Sequence, residues 1–535
     1  MKKMSLFFSI VYSALLFSQT ENFEIQLEPV QSKSIGGIQS FAFGQHHGLW
    51  LIVGGRLDGL HRRQPWAAFD IQGNNNQLIV LNPETGESWS AKLNGLSPAL
   101  QEQLSSTNMQ FYQEGTTLYC IGGYGYSPTI GDHTTFSSLT AIDVPGVIHA
   151  IQSNQSFAGL IRQVRDSKFQ VTGGKLKKIK GKYYLLGGQK FIGMYNPMGP
   201  THGPGFIQEY TNAIRVFELQ DDGSQVKITH IKEHIDTENL HRRDYNAEAQ
   251  ILPNGEEGIT MFSGVFQHTV DLPFLNAVTV QENSFKVEPN FRQYYNHYHC
   301  PVIPLYSSKT NEMHTLFFGG IAQFYDQSGT LVQDNNVPFV KTIARVTRDS
   351  KGNLAEYKLR SQMPTLLGAG AEFIPIDSIA HYDNGVIRWD ELIGDTITLG
   401  HIFGGISSTA QNIFFLNDGS QSTASNNLFK VKLIKTKSVS THFLNPQSKT
   451  NYPLHIIPNP NNGEFILSYS LPHRTDVEIT IFNSNGNKVY SSQHKNLDRG
   501  EHYLNLEKYF AADGNYLIQI NLNGETLIQK MIVER

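Results

Sequence analysis

Cysteine is nearly absent from this chain: 535 residues contain two, Cys120 and Cys300. Two cysteines do not make a disulfide framework. Charge is also sparse, at 17% of residues with a formal net charge of −4. That balance excludes a general electrostatic affinity for nucleic acid or anionic lipid. No apolar run reaches the ~20 residues that a membrane-spanning helix needs, so no transmembrane segment is expected in the mature chain. No long stretch rich in Ala, Glu, Lys and Leu occurs, which argues against helical architecture. Gly-x-Ser-x-Gly elbows, Walker loops and His-Glu-x-x-His motifs are all missing.

What the chain does contain is 47 glycines, 23 tyrosines and 32 phenylalanines, within a hydrophobic share of 39%. This composition describes many short strands joined by tight turns. The N-terminus reads as a signal peptide over residues 1–18. Lys2 and Lys3 precede an apolar run from Leu6 to Phe17, and Ser18–Gln19 is the cleavage point. No cysteine sits there, which excludes a lipoprotein anchor at that position.

One pattern recurs, an apolar strand ending in a glycine pair. It appears at Gly54-Gly55, Gly122-Gly123, Gly187-Gly188, Gly319-Gly320 and Gly404-Gly405, and as Ser263-Gly264 in the fourth copy. An apolar strand precedes most copies, as in Asn108–Glu114, Asn246–Leu252 and Ala369–Ile374. A further strand follows after a loop, as in Asn76–Pro83, Asn212–Leu219 and Asn427–Leu433, and a more polar one closes the unit, as in Glu87–Leu93. Such a glycine pair suits a crowded inner strand whose end turns with positive φ or lets another backbone approach closely.

From about Glu21 to Lys435 the pattern resembles kelch repeats. The resemblance implies an all-β fold, a six-bladed kelch-like β-propeller. The alternating strand at residues 21–30 has no partner of its own, and is expected to close the last blade. Cys120 and Cys300 then fall in opposite blades, too far apart to pair.

Residues 436–451 read as a polar linker. Residues 452–535 are compact and strand-rich, with Pro458-Asn459-Pro460-x-x-Gly463, Phe482-Asn-x-x-Gly486, Gly514-x-Tyr516 and a basic-apolar tail, Lys530–Arg535. This segment resembles the type A C-terminal sorting domain of the type IX secretion system of Bacteroidetes. The resemblance implies a small immunoglobulin-like β-sandwich, with the type IX secretion machinery as partner. It also implies delivery outside the cell or to the outer-membrane surface. A sandwich used for adhesion is the alternative.

In kelch-like propellers the loops after the glycine pairs open on one face around the central channel. The candidate ligand-binding residues there are Arg56, Asp58, Arg62, Arg63, Tyr126, Arg242, Arg243, Gln267 and Gln323. Leu-His-Arg-Arg occurs twice, at Leu60–Arg63 and Leu240–Arg243. Arginine forks suit carboxylates, phosphates and sulfates, which makes an acidic sugar a reasonable ligand. The same arginines can instead pair with local acids such as Asp58 and Asp244 to hold loops together.

His297 and His299 lie two apart, so on a strand they share a face, but zinc needs a third ligand. No metal and no cofactor is assigned. The reading favoured is a binding module for a glycan, peptide or polymer. The alternative is an enzyme acting on an acidic sugar, mutarotase- or epimerase-like, with Glu372, Glu248 or Asp58 supplying a carboxylate. A carboxylate beside an arginine in a concave mouth would favour the enzyme. A broad tyrosine-lined mouth would favour binding.

Overall fold

The computed structural model describes residues 23–30, 35–327, 330–435, 454–457, 459, 461–471, 473–483, 487–507, 513–522 and 525–534. The segments read from sequence as a signal peptide (1–18) and a linker (436–451) lie outside them. The chain divides into two compact units, Met1–Lys437 and Ser438–Arg535.

The first unit is a propeller whose six blades are each built on four antiparallel strands, and Ile207–Tyr210, Gln189–Ile192, Asp132–Thr135 and Tyr124–Ser127 form a further four-stranded sheet beside them. From inner to outer strand, blade 1 is Ala42–His46, Leu49–Val53, Gln77–Leu81 and Ser88–Lys92. Blade 2 is Gln110–Glu114, Thr117–Ile121, Ser138–Asp143 and Ile161–Arg165. Blade 3 is Lys175–Ile179, Lys182–Leu186, Ala213–Asp221 and Val226–Ile235. Blade 4 is Asn246–Ile251, Glu257–Phe262, Ala277–Val280 and Phe285–Glu288. Blade 5 is Val302–Ser307, Glu312–Phe318, Thr342–Arg348 and Leu354–Gln362, with Ile387–Arg388 added in parallel against its inner strand. Blade 6 is Ala371–Pro375, Thr396–Gly404 and Leu428–Lys435, completed by Phe23–Val30 from the start of the chain. That last strand pairs antiparallel from Phe23 opposite Lys435 to Val30 opposite Leu428.

The sheets are held by apolar seams between neighbours. Leu51, Val53, Leu118 and Cys120 pack between blades 1 and 2. Phe262 and Phe317 pack between blades 4 and 5, and Leu316, Phe318, Phe373 and Phe429 between blades 5 and 6. Both cysteines are buried free thiols. Cys300 lies just before its blade's inner strand rather than within it.

The glycine pairs have a physical reason that the backbone makes explicit. The second residue of each pair donates its N–H to a carbonyl of the next blade. The bonds run Gly55 to Ser106, Gly123 to Val171, Gly188 to Arg242, Gly264 to His297, Gly320 to Leu367 and Gly405 to Ile38, at 2.7–3.3 Å. The six bonds make a complete circuit. The first residue of each pair sits at positive φ against the same carbonyl region; a Cβ on Gly122 would lie 1.9 Å from the Val171 oxygen. Blade 4 alone tolerates Ser263 there, at φ 52°, and its hydroxyl donates to the Phe274 oxygen at 2.7 Å.

The second unit is a β-sandwich. One sheet has Leu454–Ile457, Glu464–Leu471 and Gly500–Glu507; the other has Lys488–Leu497, Thr475–Asn483, Gly514–Leu522 and Glu525–Val533. Leu467, Ile479, Ile481, Ile518, Ile520, Met531 and Val533 form its core. Asn459 clasps the final strand, donating to the Lys530 oxygen at 2.9 Å and accepting from the Ile532 N–H at 2.8 Å.

Candidate functional site: the propeller mouth and its neck

A second circuit of backbone bonds closes around the propeller axis. The residues just before the inner strands are Ser40, Asn108, Gly173, Asp244, His299 and Gly370. Each donates its N–H to the carbonyl of the preceding blade's counterpart: Asn108 to Ser40, Gly173 to Asn108, Asp244 to Gly173, His299 to Asp244, Gly370 to His299, and Ser40 to Gly370, at 2.7–3.3 Å. This ring forms a neck. Ser40, Asn108, Asp244 and His299 line both a wide cavity on one side and a narrower chamber on the other. With its backbone polar groups spent on the ring, the neck offers side chains to a ligand.

The wide cavity is the mouth, about 450 Å³ in volume. Every blade contributes to it. The segment after each glycine pair, which in blades 2 and 3 is the strand Tyr124–Ser127 or Gln189–Ile192, and the lead-in to each inner strand supply the walls. Blade 1 brings Arg56, His61, Arg63 and Phe69. Blade 2 brings Tyr124, and blade 3 Gln189, Phe191 and Tyr195. Blade 4 brings Arg243, Phe266 and Asp271, blade 5 Tyr298 and Asn335, and blade 6 Phe414 and Phe415. The wall from blades 1 to 3 is continuously aromatic. His61 stacks on Phe69 (5.5 Å) and meets Tyr195 edge-on (4.9 Å), while Phe69 meets Tyr124 at 5.2 Å. Burial pulls the His61 pKa down to about 4, so this imidazole is neutral.

Of the nine residues expected from sequence, Arg56, Arg63 and Arg243 line the mouth. They differ in availability. Arg56 is buried and fully engaged: Nε and Nη2 grip the Asp58 carboxylate at 2.7 and 2.5 Å, and Nη1 donates to Asn74 Oδ1 at 2.9 Å. Asp58 is thereby used up. Arg243 forms an ion pair with Asp244 and donates to the Tyr210 hydroxyl at 3.1 Å. Burial is the largest single influence and opposes its charge, but Asp244 together with Tyr210, Tyr195 and Tyr298 outweighs it, so the pKa is raised. Arg63 packs its guanidinium over the Phe415 ring at 5.3 Å and makes no ion pair among the described residues.

The other six lie outside the mouth lining. Arg242 is wholly buried. Its guanidinium donates to the oxygens of Asn239 (2.6 Å), Ser263 (2.6 Å) and Asn276 (3.0 Å) and to Asn276 Oδ1 (2.6 Å), and lies over Phe274 at 4.2 Å. Arg62 is exposed and packs against Gly419. Tyr126 meets His133 edge-on at 5.4 Å. Gln267 donates to the Pro273 oxygen at 2.7 Å, and Gln323 to Asn335 Oδ1 at 2.9 Å.

His297 and His299 do not share a strand face, because the segment before Val302 is not a strand. His297 is buried, with Nε2 2.9 Å from the Gln293 oxygen and Nδ1 accepting from the Gln323 N–H at 3.0 Å. His299 sits in the neck, its Nε2 2.8 Å from Glu372 Oε1. Among the described residues no group of three His, Cys, Asp or Glu side chains is placed to hold a metal.

The chamber beyond the neck is about 130 Å³ and is lined by Lys175, Lys177, Glu248, His299 and Glu372 among others. Lys177 pairs with Glu248 at 2.6 Å. Burial opposes ionisation of Glu372, but His299 and Lys175 outweigh it and hold the carboxyl below its ordinary range.

Comparison with known proteins bears on the two units differently. Residues 455–534 match the family model of the secretion system C-terminal sorting domain. The chain thus carries a type IX sorting domain, and the protein is secreted or displayed at the cell surface. No helix among the described residues is long and apolar enough to cross a membrane. No curated protein matches the chain. The chain is similar to the solved structure of YjhT, at 10% identity and a TM-score of 0.38, covering 74% of this chain and 99% of that one. It is also similar to a fungal alcohol oxidase of the AA5 family in complex with copper, at 9% identity and a TM-score of 0.37, covering 95% and 100%. The propeller assignment rests on the chain's own six sheets and their closure.

Proposed function

We propose that this protein is a kelch-like propeller delivered by the type IX machinery as a surface or secreted binding module, with the mouth as its ligand site. The observation that carries this is a cavity of about 450 Å³ whose walls carry eight Phe and Tyr side chains and whose Arg63 guanidinium makes no ion pair among the described residues. Flat aromatic faces pack against the apolar faces of sugar rings or against peptide side chains, and a few polar groups then fix orientation. An arginine without a carboxylate of its own adds selectivity for an acidic group. A glycan with a uronic or similar acidic residue is the ligand class that uses both.

A glycan array probed with the purified chain tests this. Acidic glycans should give the strongest signals. Arg63→Ala should weaken them at least about tenfold, the loss of a hydrogen bond to a charged group, while the unfolding midpoint stays unchanged. Absence of any glycan signal, or signals indifferent to Arg63→Ala, would sink the acidic-ligand reading.

A second reading draws support from Asp244, a carboxylate held beside Arg243 at the mouth floor. A carboxylate so placed can move a proton at the anomeric hydroxyl of a bound acidic sugar. If the protein catalyses anomer interconversion, proton NMR should show exchange of uronate anomers faster than the buffer rate, and Asp244→Asn should return it to that rate. No acceleration by the wild-type chain leaves binding as the whole function.

A further inference from the structure

The chamber below the neck contains a second, unclaimed arrangement of polar groups. Lys175 and Glu372 each lie two residues beyond a neck residue, Gly173 and Gly370. At ~3.3 Å of rise per residue they share one level, roughly 7 Å below the neck. Their blades, the third and the sixth, are opposite members of the ring, so the two side chains approach the axis from opposite sides.

The other charges of the chamber are spent. Lys177 and Glu248 satisfy each other at 2.6 Å, and His299 takes Oε1 of Glu372 at 2.8 Å. The Lys175 side chain makes no ion pair and no hydrogen bond among the described residues, although it lines the same void as Glu372. An ammonium and a carboxylate thus face one another across a gap. An anion entering it is repelled by Glu372, and a cation by Lys175. A hydroxyl suits both, because it accepts through a lone pair and donates through its proton.

We propose that this chamber is a hydroxyl-binding subsite, in which a small polyol or the hydroxylated end of a sugar accepts a hydrogen bond from Lys175 Nζ and donates one to the Glu372 carboxylate. At about 130 Å³ the chamber has room for a small polyol. The half-buried Lys175 amine, whose charge desolvation opposes and Glu372 supports, and the Glu372 carboxylate otherwise lack a full set of partners, which is costly in a low-dielectric channel. The site lies apart from the mouth and stands whether or not the mouth takes a glycan.

Saturation-transfer NMR and calorimetry on the purified chain, with glycerol and erythritol as probes, test it. Acetate and methylammonium serve as charged probes of similar size. Erythritol should bind saturably, and neither charged probe should compete with it. Lys175→Met and Glu372→Gln should each weaken erythritol at least about tenfold. Should Lys175→Met fold poorly, Lys175→Gln keeps an N–H donor and should retain binding within a few-fold. Arg63→Ala, a mouth substitution, should leave erythritol unaffected, separating this subsite from the glycan reading. The proposal is overturned if the wild-type chain shows no saturable polyol binding, so that only water fills the chamber. Equal binding by Lys175→Met, or tighter binding of acetate or methylammonium than of erythritol, would overturn it as well.

Discussion

Gly122→Ala should destabilise the propeller by about 3 kcal/mol or more, among the largest losses any single methyl group can cause here. Two penalties combine. The residue sits at φ 66°, where a side chain is strained, and the added Cβ would lie 1.9 Å from the Val171 oxygen and 2.9 Å from its carbon. Those atoms are backbone of the next blade, so relief requires moving blade 3 away from blade 2. The Gly123 N–H bond to the same Val171 carbonyl, at 2.9 Å, would be disturbed by that movement. Gly131→Ala is the control. Gly131 has φ 80°, but a methyl group added there would meet nothing within 4 Å, so only the left-handed backbone cost of about 1–2 kcal/mol applies. Denaturant unfolding of both variants measures the difference. Equal losses would show that blade-to-blade contact is not what demands the glycine.

Arg242→Ala should cost about 3–5 kcal/mol, the range for breaking a buried charged network, and should do so without any ligand present. The substitution strips donors from the carbonyls of Asn239, Ser263 and Asn276 and from the Asn276 side chain, and empties the space over the Phe274 ring. Blade 4 depends on these bonds because Ser263 replaces the first glycine of its pair, and Arg242 braces the Ser263 carbonyl. Arg63→Ala, from the other Leu-His-Arg-Arg segment, should change stability by no more than about 0.5 kcal/mol. Thermal and denaturant midpoints of the two variants give the comparison. A mild effect of Arg242→Ala would remove it from the framework and reopen it as a ligand contact.

Those two arginines show where the sequence is legible and where it is not. The glycine pairs can be read directly, because each answers the same backbone demand at every blade, and the all-β propeller follows from their repetition. The two Leu-His-Arg-Arg segments look equivalent and are not. Leu60–Arg63 lies in the loop after a glycine pair, whereas Leu240–Arg243 leads into an inner strand. Burial, which no local pattern encodes, makes Arg242 a brace and leaves Arg63 open. The aromatic wall is illegible for a related reason. Tyr195, Phe266, Tyr298 and Phe415 come from four loops with no common spacing, and only the ring brings them together. Lys175 is hidden by its neighbours, since Lys175-Leu-Lys-Lys178 reads as an alternating strand with a solvated face. In a propeller's inner strand that face meets the channel.

The pairing of Phe23–Val30 with Leu428–Lys435 joins segments at the two extremes of the propeller; Glu28 and Lys432, which form an ion pair across it, are 404 residues apart. Contacts of such separation form late, because the loop they close is so long. Five blades can condense one after another from local hairpins, but the sixth waits for both ends. Once fastened, the joint acts as a clasp that holds the first and last strands of the ring in one sheet, so that neither is left free for the blades to peel from.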